Sequence, residues 1–490
     1  MKTRTVFEKR NISMMMDLYE LTMANGYFLQ EQQASRVAFD VFYRKNPDNG
    51  GFAIFAGLEQ ILQYLEGLHF DAEDIDYLSG LNLFDEHFLK YLSEFRFTGD
   101  VYAFPEGTIM YPNEPIITVV ADLVQAQIIE TELLAQVNHQ SLIATKANRI
   151  VRAAQGRAVS DFGARRAHNN DAAILGARAC YIGGVSGTAT VSAGQEFDIP
   201  VGGTMAHSWV MYYQDELTAF RKFAEVYPNN CILLVDTYDV LRSGVPNAIR
   251  VFDEMKARGI QSKNYGIRLD SGDLAYLSRE ARKQLDEAGY TDARIVVSNS
   301  LDEYTITSIL DQGGRIDSFG VGERMITAKS DPVFGAVYKL SAVAGADGKF
   351  EPRIKISETV EKITNPGLKQ VYRVYNPEGK AFADLIAGQE GIDEDAVRTG
   401  IVVIDPERPW KKRLFRDCTM RKLQQKVMAG GARTGESPSV REIATYVRHQ
   451  LDHEIWEEEQ RFENPHKHYI DMTADYYNMK MAMLEEKHNG

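Results

Sequence analysis

Between Ala158 and Arg324 one pattern returns seven times: a short apolar run, a polar or glycine-rich turn, then a helical stretch. The runs are "AVSDFGARR", "CYIGGVSGT", "IPVGGTMAH", "CILLVDTYD", "YGIRLDSGD", "RIVVSNSLD" and "IDSFGVGER". Continuous apolar strands alternating with helices are what parallel strands covered on both faces require. The pattern therefore predicts α/β architecture, an irregular TIM-like α/β barrel whose uneven spacings depart from a regular repeat.

A barrel of this kind gathers the loops after its strands at one face. Asp161, Arg165, Arg166, His207, Asp236, Asp239, Arg268, Asp270, Asp273, Asn299 and Glu323 become expected neighbours despite their separation in sequence. "FDIPVGG" reads as a strand arriving at "GTMAHSW", which puts His207 at a strand's carboxyl end.

The flanks read differently. Residues 1–140 mix helical and alternating patterns, an α+β domain, and "DLVQAQIIETELLAQVNHQSLIATKANRIVRAAQG" reads as one long helix closed by Gly156. The barrel is assigned to 141–340. Hairpin patterns with "ADG" and "NPG" turns over 341–400 are expected to complete the first domain, and 401–490 reads as a mainly helical C-terminal extension.

The formal net charge of −14 disfavours nucleic acid and anionic membranes as partners. The basic stretch around Lys411 reads as solvated surface. Cys180, Cys231 and Cys418 stand far apart, without metal-ligand spacing, which fits reduced thiols. The charged start lacks a signal peptide's apolar core, and no segment approaches the roughly 20 apolar residues of a membrane helix. A cytoplasmic protein acting on a small molecule is the expectation.

Each motif admits a chemical and a structural reading. In "IRLDSGDL", Arg268 and Asp270 suit a sugar diol or a metal-bound phosphate, because hydroxyls need acceptors and phosphates a bidentate cation; Asp273 also suits a helix N-cap. Gly320 and Gly322 would let backbone N–H groups approach a phosphate late in the barrel, or simply form a tight turn. Arg165 and Arg166 suit a polyanion or a ligand carboxylate, or surface ion pairs; Phe162 suits an aromatic ligand or the core. Asp236 and Asp239 could orient His207, hold a cation, or face solvent. His207 itself could be base, ligand, nucleophile or structural, but zinc is disfavoured because no second His or Cys lies at ligand spacing. His466 and His468 read as structural or solvent-facing. A phosphorylated sugar is the ligand these groups suit; isomerisation, aldol cleavage and transfer stay open.

"DLYELTMANGYF", "SDFGARRAH", "GTMAHSW", "IRLDSGDL", "SNS" and "FGVG" occur in the order seen in nicotinate phosphoribosyltransferases, and the chain resembles that family from Asp17 to about Leu340, more loosely through "NPHKHY". The resemblance implies formation of nicotinate mononucleotide and pyrophosphate from nicotinate and phosphoribosyl pyrophosphate, in NAD salvage, with ATP as co-substrate and Mg²⁺ as cofactor. It puts a phosphohistidine on His207 and makes Asp270 and Arg268 catalytic, with Asp236 and Asp270 candidate metal ligands. Phe162 and Tyr19 would sandwich the pyridine ring, Tyr19 coming from the partner of a homodimer. Arg165, Thr204 and Arg268 would contact nicotinate or phosphates, and Ser298, Asn299, Gly320, Gly322 and Glu323 the phosphoribosyl group. Relatives that use the amide carry an aspartate where this chain has Ala189. A carboxylate there would repel nicotinate's own, so Ala189 favours the acid. The alternatives are a nicotinamide phosphoribosyltransferase and a non-catalytic phosphosugar-binding protein on the same scaffold.

Overall fold

Six of the seven repeated runs contribute a strand: β1 (Ala158–Asp161), β2 (Gly187–Thr188), β3 (Cys231–Leu234), β4 (Tyr265–Leu269), β5 (Arg294–Ser298) and β6 (Ser318–Val321). They belong to a computed structural model that describes residues 11–489, apart from 360–361, 394–396 and 398. The charged start, residues 1–10, on which the absence of a signal peptide was judged, lies outside the described residues. The chain divides into two units: Met1–Leu142 with Val333–Gly490, and Ile143–Pro332.

The second unit holds the barrel. Its ladders are all parallel, in the order β2-β1-β6-β5-β4-β3. Followed around, that order is the order of the chain, with β6 returning to β1 through Val321 opposite Asp161. Leu233, Leu234, Ile267, Leu269, Ile295, Val297 and Val321 are fully buried, which is why the runs are apolar without alternation.

The seventh run departs from expectation. "IPVGG" supplies a single bridge, Val201 beside Thr188, rather than a strand. Among the described residues no ladder joins Val201 to β3, so the barrel has an open seam there. His207 therefore begins the helix His207–Tyr212 instead of ending a strand. The two glycines before Thr204 leave no side chains to fill a ladder position, which is the physical reason the strand stops.

Helices follow the strands, and several start at side-chain caps. Asn169, Asp215, Asp273 and Asp302 each accept a backbone N–H from the first turn of the helix they precede. Each cap contributes about 1 kcal/mol. Asp273 is thus a cap, and Asp239 accepts the N–H groups of Leu241 and Arg242 in the same way. The stretch expected as one helix divides: its first residue, Asp122, ends the strand Ile117–Asp122, Leu123–Gln127 is a short helix, and Glu130–Ala153 the long one. It ends where Gln155 and Gly156 turn left-handed, at φ 51° and 82°.

The first unit is built on two larger sheets. One has seven strands, in the order 350–352, 337–344, 36–42, 117–122, 100–103, 425–429, 432–433. The other has six, in the order 412–415, 401–404, 469–473, 381–388, 369–375, 419–422. The strands expected over 341–400 to complete the first domain divide between these sheets. The C-terminal extension is not mainly helical. Besides the helices Val440–His449 and Ala474–Asn489 it contains six strands. "KRLF", "TMRK" and "QKVMA" are short and half-exposed, with charges on them, and they pair with strands far away in sequence, such as Met428 opposite Val101. Local periodicity carries no trace of such pairing.

Between these strands lies a buried ionic cluster. Arg373 donates to both oxygens of Asp384, at 2.9 and 2.6 Å, and to the carbonyl of Ile109. His468, read from sequence as structural or solvent-facing, is buried here: Nδ1 lies 3.0 Å from Glu459, Nε2 3.5 Å from Asp384, and the ring stacks on Tyr111 at 3.8 Å. Burial opposes its charge, but Glu459 and Asp384 hold its pKa above the usual value. His466, two residues away, is exposed.

Candidate active site

Asp161 closes β1 with its side chain turned inward. Oδ1 accepts the N–H of Gly163 at 2.8 Å and Oδ2 the hydroxyl of Thr188 at 2.7 Å. These bonds hold the turn that carries Phe162 and, on the short helix Ala164–Arg166, Arg165. Phe162 donates its own N–H to the carbonyl of Val321. Its ring lies on Gly320, where an added Cβ would come 2.3 Å from Cε2. The glycine read as a phosphate cradle is therefore needed first of all by an aromatic ring.

Arg268 projects from β4 and donates through Nη1 to Thr204 at 2.6 Å, while its Nε is buried without a partner. Burial pushes its pKa down, opposed by the charges of Asp270 and Asp236 and reinforced by that of Arg165. A guanidinium with an unspent donor beside a second arginine is poised for an anionic ligand.

Asp270, just past β4, receives the hydroxyl of Ser298 on Oδ1, and its Oδ2 lies 3.7 Å from Nε2 of His207. Its N–H donates to Oδ2 of Asp236 at 3.1 Å, which also accepts the hydroxyl of Ser271 at 2.6 Å. Oδ1 of Asp236 is buried and unpartnered. Nδ1 of His207 lies 3.1 Å from the hydroxyl of Thr237. The ends of β1, β3, β4, β5 and β6, with the segment after Val201, thus bring Phe162, Arg165, Thr204, His207, Asp236, Arg268, Asp270, Ser298 and Gly320 to one face.

Gly322, also expected at the site, lies against the Phe162 turn, where an added Cβ would come 3.2 Å from the carbonyl oxygen of Phe162. Other expected members stand apart. Asn299 follows β5 in the left-handed region, φ 91°, exposed and hydrogen-bonded to Ser300. Glu323, at the start of the short helix Glu323–Ile326, is engaged by Lys329 at 2.6 Å. Tyr19 belongs to the first unit, exposed on the helix Leu18–Leu29. Thr237 and Thr188 were not anticipated. The signal for Thr237 was its place between Asp236 and Tyr238, three residues past the end of β3. Among the described residues, no cluster of three or more His, Cys, Asp or Glu could hold a metal by itself, and no helix is long and apolar enough to cross a membrane.

Three family models match the chain in sequence order: the nicotinate phosphoribosyltransferase N-terminal domain over residues 14–138, the nicotinate phosphoribosyltransferase family over 157–376, and the C-terminal domain over 368–480. The chain belongs to the nicotinate phosphoribosyltransferase family. It is an enzyme, a transferase of NAD salvage, with nicotinate and phosphoribosyl pyrophosphate as substrates. It is 44% identical over 481 residues to the nicotinate phosphoribosyltransferase of Bacillus subtilis (strain 168), covering 98% of this chain and 96% of that one. The Dictyostelium discoideum nicotinate phosphoribosyltransferase is 32% identical, with 94% and 86% covered. The crystal structure of human nicotinic acid phosphoribosyltransferase superposes with a TM-score of 0.83 at 25% identity, over 96% and 99% of the two chains. The irregular α/β barrel is the fold of this family.

Proposed function

We propose that the barrel face joins the ring nitrogen of nicotinate to the anomeric carbon of phosphoribosyl pyrophosphate and couples this to ATP hydrolysis through a phosphohistidine on His207. The observation that carries the reading is the grouping of His207, Asp270 and Arg268 on one face, with Nε2 of the imidazole 3.7 Å from the carboxylate. In the transfer, the bond from the anomeric carbon to pyrophosphate breaks as the bond to nitrogen forms, and positive charge builds on the ribose. The carboxylate of Asp270, held by Ser298, is preorganised to stabilise that charge. Phe162 offers a flat face to the pyridine, and Arg268 with Thr204 offers donors to a carboxylate or phosphate. Ala189, exposed just past β2, places no negative charge against nicotinate.

Mg²⁺ fits the residues present. Asp236 keeps a buried oxygen without a partner beside Asp270, and Mg²⁺ is commonly held by one or two carboxylates plus substrate phosphates. When bound it would supply charge neutralisation to pyrophosphate. A homodimer in which Tyr19 serves the partner's site is supported by the exposure of Met15, Leu18, Tyr19, Met23 and Leu29 around one helix. Three unpaired cysteines support a cytoplasmic location.

The test is mononucleotide formation from phosphoribosyl pyrophosphate and Mg²⁺, offering nicotinate or nicotinamide, with and without ATP. Nicotinate turnover that rises with ATP in the wild type, and loses that rise in His207→Ala, is the expected result. An unchanged rise in His207→Ala overturns the phosphohistidine.

A further inference from the structure

Asp161 is 1% exposed, and both oxygens of its carboxylate are engaged by its own chain: Oδ1 by the N–H of Gly163 and Oδ2 by the hydroxyl of Thr188, itself 1% exposed. The bonds join two separate turns. One carries Phe162, the other Ala189, whose N–H donates to the carbonyl of Asp161 at 2.8 Å. The Thr188 hydroxyl also works on its own side, since its oxygen accepts the N–H of Thr190 at 2.9 Å. It thus uses its donor and an acceptor at once, one across to β1 and one within the turn after β2. β2 needs such a tether, because it has only two residues and its seam side meets the single bridge of Thr188 with Val201. So short a ladder leaves few backbone bonds to fix the turn that follows it.

From this geometry we propose that Thr188 is a positioning residue for the base: its hydroxyl, bonded to Asp161, holds the ring of Phe162 and the selectivity position Ala189 at a fixed spacing. The proposal rests on the assignment of nicotinate to Phe162 and Ala189, and adds to it the residue that keeps those two walls together. Thr188 acts only through its neighbours; no bond is made or broken at its hydroxyl in the transfer. The groups offered to the phosphoribosyl side, Asp270 after β4 and Ser298 on β5, hang on other strands and are bonded to each other. A broken clamp therefore acts on nicotinate and spares phosphoribosyl pyrophosphate. Thr188→Val keeps the branched shape and loses both hydrogen bonds of the hydroxyl; Thr188→Ser keeps them.

Mononucleotide formation by the full chain is followed against nicotinate at saturating phosphoribosyl pyrophosphate, and against phosphoribosyl pyrophosphate at saturating nicotinate. Wild type is compared with Thr188→Val, Thr188→Ser, Asp161→Asn, the double variant Asp161→Asn with Thr188→Val, and Phe162→Ala, with thermal midpoints recorded for all. Thr188→Val is expected to raise KM for nicotinate about tenfold, the loss that corresponds to one buried hydrogen bond, and to leave KM for phosphoribosyl pyrophosphate within about twofold of wild type. Thr188→Ser is expected to restore the wild-type KM. Asp161→Asn puts an N–H where the hydroxyl needs an acceptor, so it breaks the same bond from the other side and should show the same split between the two KM values, even if Thr188→Val does not fold. The double variant should be no worse than the worse single one. Wild-type KM for nicotinate in Thr188→Val overturns the proposal, as do equal rises in both KM values, Thr188→Ser as impaired as Thr188→Val, or additive losses in the double variant. Wild-type KM for nicotinate in Phe162→Ala overturns the assignment of the base itself, so the two failures are told apart.

Discussion

Replacing Gly320 by alanine tests the packing that holds the aromatic wall of the site. The new Cβ would lie 2.3 Å from Cε2, 2.4 Å from Cδ2 and 3.1 Å from Cζ of Phe162. Carbon atoms rest about 3.5 Å or more apart, so the ring must retreat by roughly 1 Å. The strand cannot give way instead, because Gly320 is laddered on both sides, to Ser298 of β5 and to Ser160 of β1. Overpacking of this kind costs about 1–3 kcal/mol. Because the ring is only half-buried, the lower end of that range applies. On the proposed stacking of Phe162 against the pyridine, a displaced ring forfeits a contact of about 0.5–1.5 kcal/mol, which is roughly a two- to tenfold rise in KM for nicotinate. The assay is initial rate against nicotinate at saturating phosphoribosyl pyrophosphate, with a thermal midpoint alongside. The same substitution in a Phe162→Ala background should cost almost nothing further, since the atom it collides with is gone. Wild-type KM and midpoint in Gly320→Ala would refute the argument, and additive losses in the double variant would show the effect travels by another path.

Three other expectations follow from particular residues. Arg373→Met leaves Asp384 buried without its bidentate partner and should cost about 3–5 kcal/mol, read from chemical denaturation; a loss under 1 kcal/mol contradicts the account of that cluster. Burial pushes the carboxyl of Glu20 up to about 7, although Thr131 and the N–H of Asp17 pull it down. The folded chain then holds a proton that the unfolded chain releases near 4.5, so this contribution is complete below about 4.5 and is lost as pH rises through about 7. Glu20→Gln should flatten the fall in stability between those values, and parallel pH profiles for the two proteins would count against it. Ala189→Asp should raise KM for nicotinate and spare or improve nicotinamide use, measured by mononucleotide formation; unchanged nicotinate kinetics would remove Ala189 from the selectivity argument.

Much of the site was legible because each of its members follows an apolar run. A strand that is buried on both faces must be apolar throughout, and it stops where polar residues begin, so the carboxyl ends of β1, β3, β4, β5 and β6 could be marked in the sequence. Asp161, Asp236, Arg268, Asp270 and Ser298 all sit at those ends. The same reasoning misplaced His207, since the two glycines before Thr204 stop the strand and let a helix begin. It anticipated that Asp273 suits a helix cap but left Asp239 open between orienting His207, holding a cation and facing solvent, and the structure makes Asp239 a cap as well.

What the sequence alone determined is the alternation of parallel strands with helices, the face where chemistry gathers, and the order of motifs that marks the family. These follow from local periodicity and from residue types at fixed offsets. Only the tertiary structure decided that Phe162 lies on Gly320, that Thr237 meets His207, that Asp236 is tied to Asp270, and that His468 is locked between Glu459 and Asp384. It also decided that the C-terminal residues pair as strands with partners such as Val101 and Leu385. Apart from the pair Glu459 and His468, nine positions apart, these contacts join residues separated by tens to hundreds of positions. The free energy that selects them comes from shape and charge fitting across ladders, which no window along the chain contains.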